Sequence, residues 1–240
     1  MKELKIFDEV DDLINALAEA ISVAAEFAIE VNGRFNFVLS GGSSPKKLYE
    51  LLASGSFKNR IDWDKVYFFF GDERFFPAED SQRNSVMVKE ALFEPLKIKC
   101  DNIFEVDTSG SPEESAQNYW DSISKHFNGK PIEFDFILLG LGDNSHTASL
   151  FPNTSVLNET VATVKSIFIE EVDMFRITMT APLINQSKNI VFLVFGEGKA
   201  KAVFHILEDQ SGSVNEFPAR LIKSEGKVEW FLDSAAAARL

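Results

Sequence analysis

Cysteine is almost absent from this 240-residue chain; Cys100 is the only one. A single thiol excludes an intramolecular disulfide framework and fits a reducing compartment, so a cytoplasmic location is expected. Histidine is scarce too, with three in all. No pair of His, Cys or carboxylate residues stands at a metal-ligand spacing such as HExxH or CxxC, and no metal is expected. A GxSxG elbow is missing, which argues against acyl transfer through an activated serine. No apolar run reaches the roughly 18 residues that a membrane span needs. The opening MKELKIFDEVDDL is acidic and lacks the apolar segment of a signal peptide. Basic residues number 24 against 37 acidic ones, for a formal net charge of -13. That surplus disfavours nucleic acid and anionic membranes as partners. An anionic small ligand would need a local basic cluster working against the field of the whole chain.

What is present points to an α/β fold. With 45% hydrophobic residues, a chain of this length buries roughly three quarters of its unfolded surface. Between 11 and 31 the apolar residues Leu13, Leu17, Ile21, Ala24 and Ala28 recur at helical spacing, and Gly33 stops the run. Apolar strands are expected at 35–39, 66–70, 134–139, 176–179, 189–195 and 227–232. Helices are expected at 46–53, 84–92, 112–127 and 198–207, with an Ala-rich helical tail. The stretch 157–172 fits short or antiparallel strands. No repeat, low-complexity linker or domain break interrupts the chain, so 1–240 reads as a single domain built on a mostly parallel sheet covered on both faces.

Three places carry chemistry. The strand at 134–139 runs into GLGDNSHTASLFP at 140–152. Ligands of open α/β sheets bind beyond strand carboxyl ends, and His146 sits there among Ser145, Thr147 and Ser149. A structural histidine in a tight turn is the competing reading. LSGGSSPKKLYELL is a strand-loop-helix unit. Its glycines, Gly41 and Gly42, let the backbone approach an anion held by loop amides, the helix dipole and the hydroxyls of Ser40, Ser43 and Ser44. An ordinary strand-to-helix turn would look similar. In FFFGDERFFP, Asp72, Glu73 and Arg74 lie where a buried strand ends. Arg74 could fork onto a phosphate and Asp72 could hold sugar hydroxyls or a water; the alternative is a surface ion pair within the loop. Arg176 opens a strand, and Lys199 follows Gly196-Glu197-Gly198 at a helix start, where it could join an anion site. Lys201, His126 and His205 read as structural or solvated. An imidazole, a carboxylate and an anion cradle suit general-base activation of water on a phosphorylated substrate.

With these motifs in view the chain resembles the 6-phosphogluconolactonase family of the pentose phosphate pathway. RITMTAPLINQSKNIVFLVFGEGKAKAV and FPARLIKSEGKVEWFLDSAAAARL extend the likeness over nearly the whole chain. The resemblance implies a three-layer α/β/α sandwich around a mostly parallel sheet, like the glucosamine-6-phosphate deaminase/ribose-5-phosphate isomerase group. It also implies hydrolysis of 6-phospho-D-glucono-1,5-lactone to 6-phosphogluconate, a sugar-phosphate lactone as the partner, no required cofactor, and His146 as general base. A monomer or weak homo-oligomer is expected. The family pattern Gly-x-Gly-x-Asp-Gly-His is broken here, because Asn144 and Ser145 stand where Asp and Gly are usual. If the usual Asp stabilises a protonated histidine, Asn144 lowers the basicity of His146 and slows the chemistry; if it only holds the loop, Asn144 serves nearly as well. Asn144 could also donate to an oxyanion, with Asp143 expected to point elsewhere. Two other readings stay open: a deaminase acting on glucosamine 6-phosphate, against which SLFP follows His146 in place of an AFNEP-like segment, and a sugar-phosphate-binding protein that has lost catalysis.

Overall fold

The computed structural model describes residues 2–224 and 226–240. Six strands form one parallel sheet: β1 (Lys2–Phe7), β2 (Phe35–Leu39), β3 (Val66–Phe70), β5 (Phe136–Leu139), β8 (Asn189–Val194) and β9 (Lys227–Asp233), in the order β1-β9-β8-β5-β2-β3. A smaller antiparallel sheet holds β4 (Asp72–Arg74), β7 (Met174–Met179) and β6 (Val164–Ile169) in that order. The strand near 176–179 therefore does not join the large sheet. The expected antiparallel character within 157–172 is found in β6.

Strands β2, β3, β5 and β8 are mostly buried on both faces and mostly apolar, and their alternate side chains enter different cores, whereas the edge strand β1 leaves Leu4 and Ile6 exposed. Phe37 and Leu39 of β2, Phe68 and Phe70 of β3 and Leu193 of β8 pack under α1 (Val10–Asn32) and α2 (Ser43–Leu52). Val38, Phe69, Phe192 and Trp230 turn the other way, toward α5 (Pro112–Phe127), α7 (Ala200–Leu207) and the small sheet. Each fully buried phenylalanine stabilises by about 2–3 kcal/mol relative to exposure. The layers are helices, sheet, then helices with the small sheet, which makes an α/β/α sandwich.

Local differences from the sequence reading have local causes. The helix expected at 84–92 is α3 (Asn84–Val88), followed by a wide turn over Lys89–Phe93 and then α4 (Glu94–Leu96). Pro95 lacks an N–H and its ring crowds the preceding turn, which favours a widened helix here. A short helix, α6 (Ala181–Ile184), precedes β8. The Ala-rich tail forms turns rather than a helix. There the Asp233 carboxylate accepts from the N–H groups of Gly196 and Ala236.

The chain reverses its direction of travel across the sheet between β2 and β5. From β2 it steps to β3 at one edge; from β5 it proceeds through β8 and β9 toward the other. Loops leaving the carboxyl ends of β2 and β5 therefore part, and a crevice opens at that switch point.

Candidate active site

Two buried tyrosines fix the frame of this crevice. Ser40, just past β2, donates its N–H to the Tyr49 hydroxyl (2.9 Å), which in turn donates to the Ser40 carbonyl (2.8 Å). At the end of β3 the same device recurs, with Phe70 N–H to Tyr119 Oη at 2.7 Å and Tyr119 Oη to the Phe70 carbonyl at 3.0 Å. Burial pushes both phenols far up, so they stay protonated and can donate. From Ser40 the chain turns through Gly42, whose φ of 108° suits glycine, into α2. Gly41 is required for a different reason: a Cβ there would lie 1.8 Å from Asn84 Oδ1. The first turn of α2, Ser43 to Pro45, lines the crevice, and its leading N–H groups lack intrahelical acceptors.

β4 sorts its three charges by strand alternation. Asp72 and Arg74 line the cleft. Glu73 points the other way, is fully buried, and accepts from the N–H groups of Arg74 (2.7 Å), Asn84 (2.7 Å) and Ser85 (2.9 Å). It thus caps α3 from outside the helix, with the Arg83 guanidinium 3.5 Å away. Asp72 accepts from Ser149 Oγ at 2.6 Å and lies 3.7 Å from Arg176. Directly across the small sheet, Arg74 is the register partner of Arg176. Like charges placed opposite one another repel unless something negative lies between them. Among the described residues neither Nε finds a hydrogen-bond partner, and burial lowers the Arg176 pKa. This pair is the strongest sign of an anion site.

His146 occupies the opposite wall. Its ring stacks on Phe151 with centroids 3.9 Å apart and planes 12° from parallel. Nδ1 lies 2.6 Å from Asn144 Oδ1. Behind the ring, a Cβ on Gly142 would fall 2.1 Å from Nδ1, so only glycine fits. Ser145 adopts φ of 66°, a left-handed conformation that glycine takes more readily. Thr147 ties the loop to the Gly140 carbonyl at 2.8 Å. Burial, with Arg176 and Lys199 nearby, lowers the His146 pKa to about 4 despite the opposing pull of Asp72. The imidazole is therefore neutral near pH 7, and more firmly so than the ordinary value of about 6.5 would make it.

Ser40, Gly41, Gly42, Ser43, Asp72, Arg74, His146, Arg176 and Lys199 all line one cleft of 420 Å³. Lys199 stands at the short turn before α7 and pairs with Asp143 at 2.6 Å. Asn144 is the exception among the expected residues. It sits behind His146, and its Nδ2 is given to Glu171 at 2.9 Å. One of its two N–H donors is thus already engaged. Sequence reasoning missed Glu171, Phe151 and Asn84 as parts of this wall. Asn84 opens an expected helix after a charged loop, which was the one signal available for it.

The fold and this cleft define an α/β/α protein of the sugar-phosphate isomerase and lactonase type. The model of the family described as glucosamine-6-phosphate isomerases/6-phosphogluconolactonase matches residues 8–230, and the chain belongs to that family. A 6-phosphogluconolactonase of Nostoc sp. is 35% identical over 244 residues, covering 100% of this chain and 98% of that one. The crystal structure of 6-phosphogluconolactonase from Thermotoga maritima is similar with a TM-score of 0.84 at 26% identity, covering 97% of this chain and 100% of the other. A monomeric glucosamine-6-phosphate deaminase has a TM-score of 0.84 at 18% identity, covering 99% of this chain and 100% of its own; that likeness shows the fold alone.

Proposed function

We propose that the chain hydrolyses 6-phospho-D-glucono-1,5-lactone to 6-phospho-D-gluconate, with His146 as the general base. The observation that carries this reading is one cleft holding a neutral imidazole on one wall and the Arg74–Arg176 pair on the other. The phosphate docks on the amides of Gly41, Gly42 and Ser43, between the two guanidiniums, with Lys199 exchanging Asp143 for it. Anchoring this remote group places the lactone carbonyl beside the imidazole. His146 Nε2 takes a proton from water, and the water oxygen bonds to the carbonyl carbon. Collapse of the tetrahedral oxyanion breaks the bond to the ring oxygen, which receives the same proton back. Asp72 orients the water or the sugar hydroxyls, and backbone amides of the cleft loops face the oxyanion.

The low histidine pKa has a use in this scheme. Burial chiefly, with Arg176 and Lys199 adding to it, holds the imidazole neutral. A phosphate dianion beside these two cations offsets their share, so substrate binding raises the basicity of the group that must act next. The test is lactone hydrolysis with the substrate generated in situ, product followed through 6-phosphogluconate dehydrogenase, and the spontaneous rate subtracted. His146→Ala should lower kcat about a hundredfold or more while 6-phosphogluconate still binds. Turnover at the spontaneous rate in the unaltered protein would overturn the activity. Equal losses of turnover and of product binding in the variant would overturn the role of His146.

A further inference from the structure

We infer that Glu171 is a positioning residue for His146, acting through Asn144 to lock the imidazole tautomer; the inference rests on the general-base reading above. Glu171 lies in the short turn Glu170–Val172 that joins β6 to β7, and it reaches the edge of the cleft. Its Oε2 is 2.9 Å from Asn144 Nδ2, while Asn144 Oδ1 is 2.6 Å from His146 Nδ1 and 3.2 Å from the His146 backbone N.

The chemistry of these groups allows one arrangement. An ionised carboxylate only accepts, so the amide must present its NH2 to Glu171 and its oxygen to the histidine. An amide oxygen also only accepts, so the ring proton must sit on Nδ1. Nε2 then keeps its lone pair, and among the described residues no group occupies it. If the amide turned over, its oxygen would meet the carboxylate and its NH2 would meet the His146 backbone N–H. The NH2 would also donate to Nδ1 and send the ring proton to Nε2. A ring protonated there cannot take a proton from water at that nitrogen. Glu171 is exposed, so its charge is screened and its effect is directional.

The experiment combines kinetics with the long-range proton–nitrogen spectrum of histidine-labelled protein, which distinguishes the two tautomers. Unaltered protein should show His146 protonated at Nδ1. Glu171→Ala should mix in the other tautomer and lower kcat about fivefold with KM little changed. Glu171→Gln, whose carbonyl still accepts from the amide, should restore most of both. In an Asn144→Asp background, the new carboxylate accepts from Nδ1 directly and Glu171 only repels it, so Glu171→Ala should no longer slow the enzyme. An unchanged tautomer and kcat in Glu171→Ala would overturn the inference, as would an equal loss in both backgrounds. Failure of the general-base reading would show separately, as turnover surviving in His146→Ala, and the nitrogen spectrum decides the tautomer lock in either case.

Discussion

His126 and His146 share one property and almost nothing else. Burial lowers both to about 4, with Arg34 adding to the effect at one and Arg176 and Lys199 at the other. Yet His126 is boxed by the rings of Tyr67, Phe69, Phe104 and Phe127 and lies 2.8 Å from Asn36 through Nε2. It is half-buried and lines no part of the cleft that holds His146. His146 has a ring on one side, a glycine behind, an amide at Nδ1 and the cleft in front. A perturbed pKa is therefore shared by a packing histidine and a candidate base, and the surroundings of the second nitrogen separate them.

Alanine at each site should divide the two most sharply. His146→Ala loses about a hundredfold or more in kcat with little change in stability, whereas His126→Ala keeps kcat and loses about 2–3 kcal/mol by denaturant unfolding. Gly142→Ala moves the ring without removing it, because the added methyl overlaps Nδ1. A tenfold or greater fall in kcat is expected, on the order of the oriented base's contribution, and no effect would mean that the ring position is unimportant. Arg176→Met should raise KM about tenfold. It should also raise the pKa of His146 and leave that of His126 where it is, as read by proton NMR titration.

The smallest effect is thermodynamic. The unfolded chain takes up protons on both histidines near pH 6.5 and the folded chain only near 4, so between these values the unfolded state binds more protons. Stability must then fall as pH drops from 6.5 toward 4. His126→Gln, which keeps a donor for Asn36 but does not titrate, should give a shallower fall in melting temperature over that window. An identical slope would remove His126 from the account.

Much of the frame was legible because it is written in contiguous residues. FNFVL and VYFFF are almost wholly buried, and strands covered on both faces leave nearly continuous apolar runs, broken here only by Asn36. The anion loop and the histidine loop were marked by glycines at strand ends. The small sheet was not legible as a sheet. Its β4 is three charged residues, Asp-Glu-Arg, which carry no apolar signal. They form a strand because β7 supplies the ladder. Asp72 and Arg74 were still assigned to the cleft, because buried charges at a strand end need partners. Glu171 gave no signal. Its role depends on a hairpin that folds back over a loop 27 residues earlier. The difference between Asn144 as a donor and as a link in a chain also depends on that fold.

The tyrosine clamps at Ser40 and Phe70 carry a kinetic consequence. Each ties down both backbone polar groups of a single residue at the point where a strand hands over to a functional loop. The walls of the cleft thus hang from points that need no ordering when a ligand arrives. On the proposed reading, encounter with a sugar phosphate is a docking event instead of a local folding event, and the adjustments left are small ones, such as Lys199 changing partners.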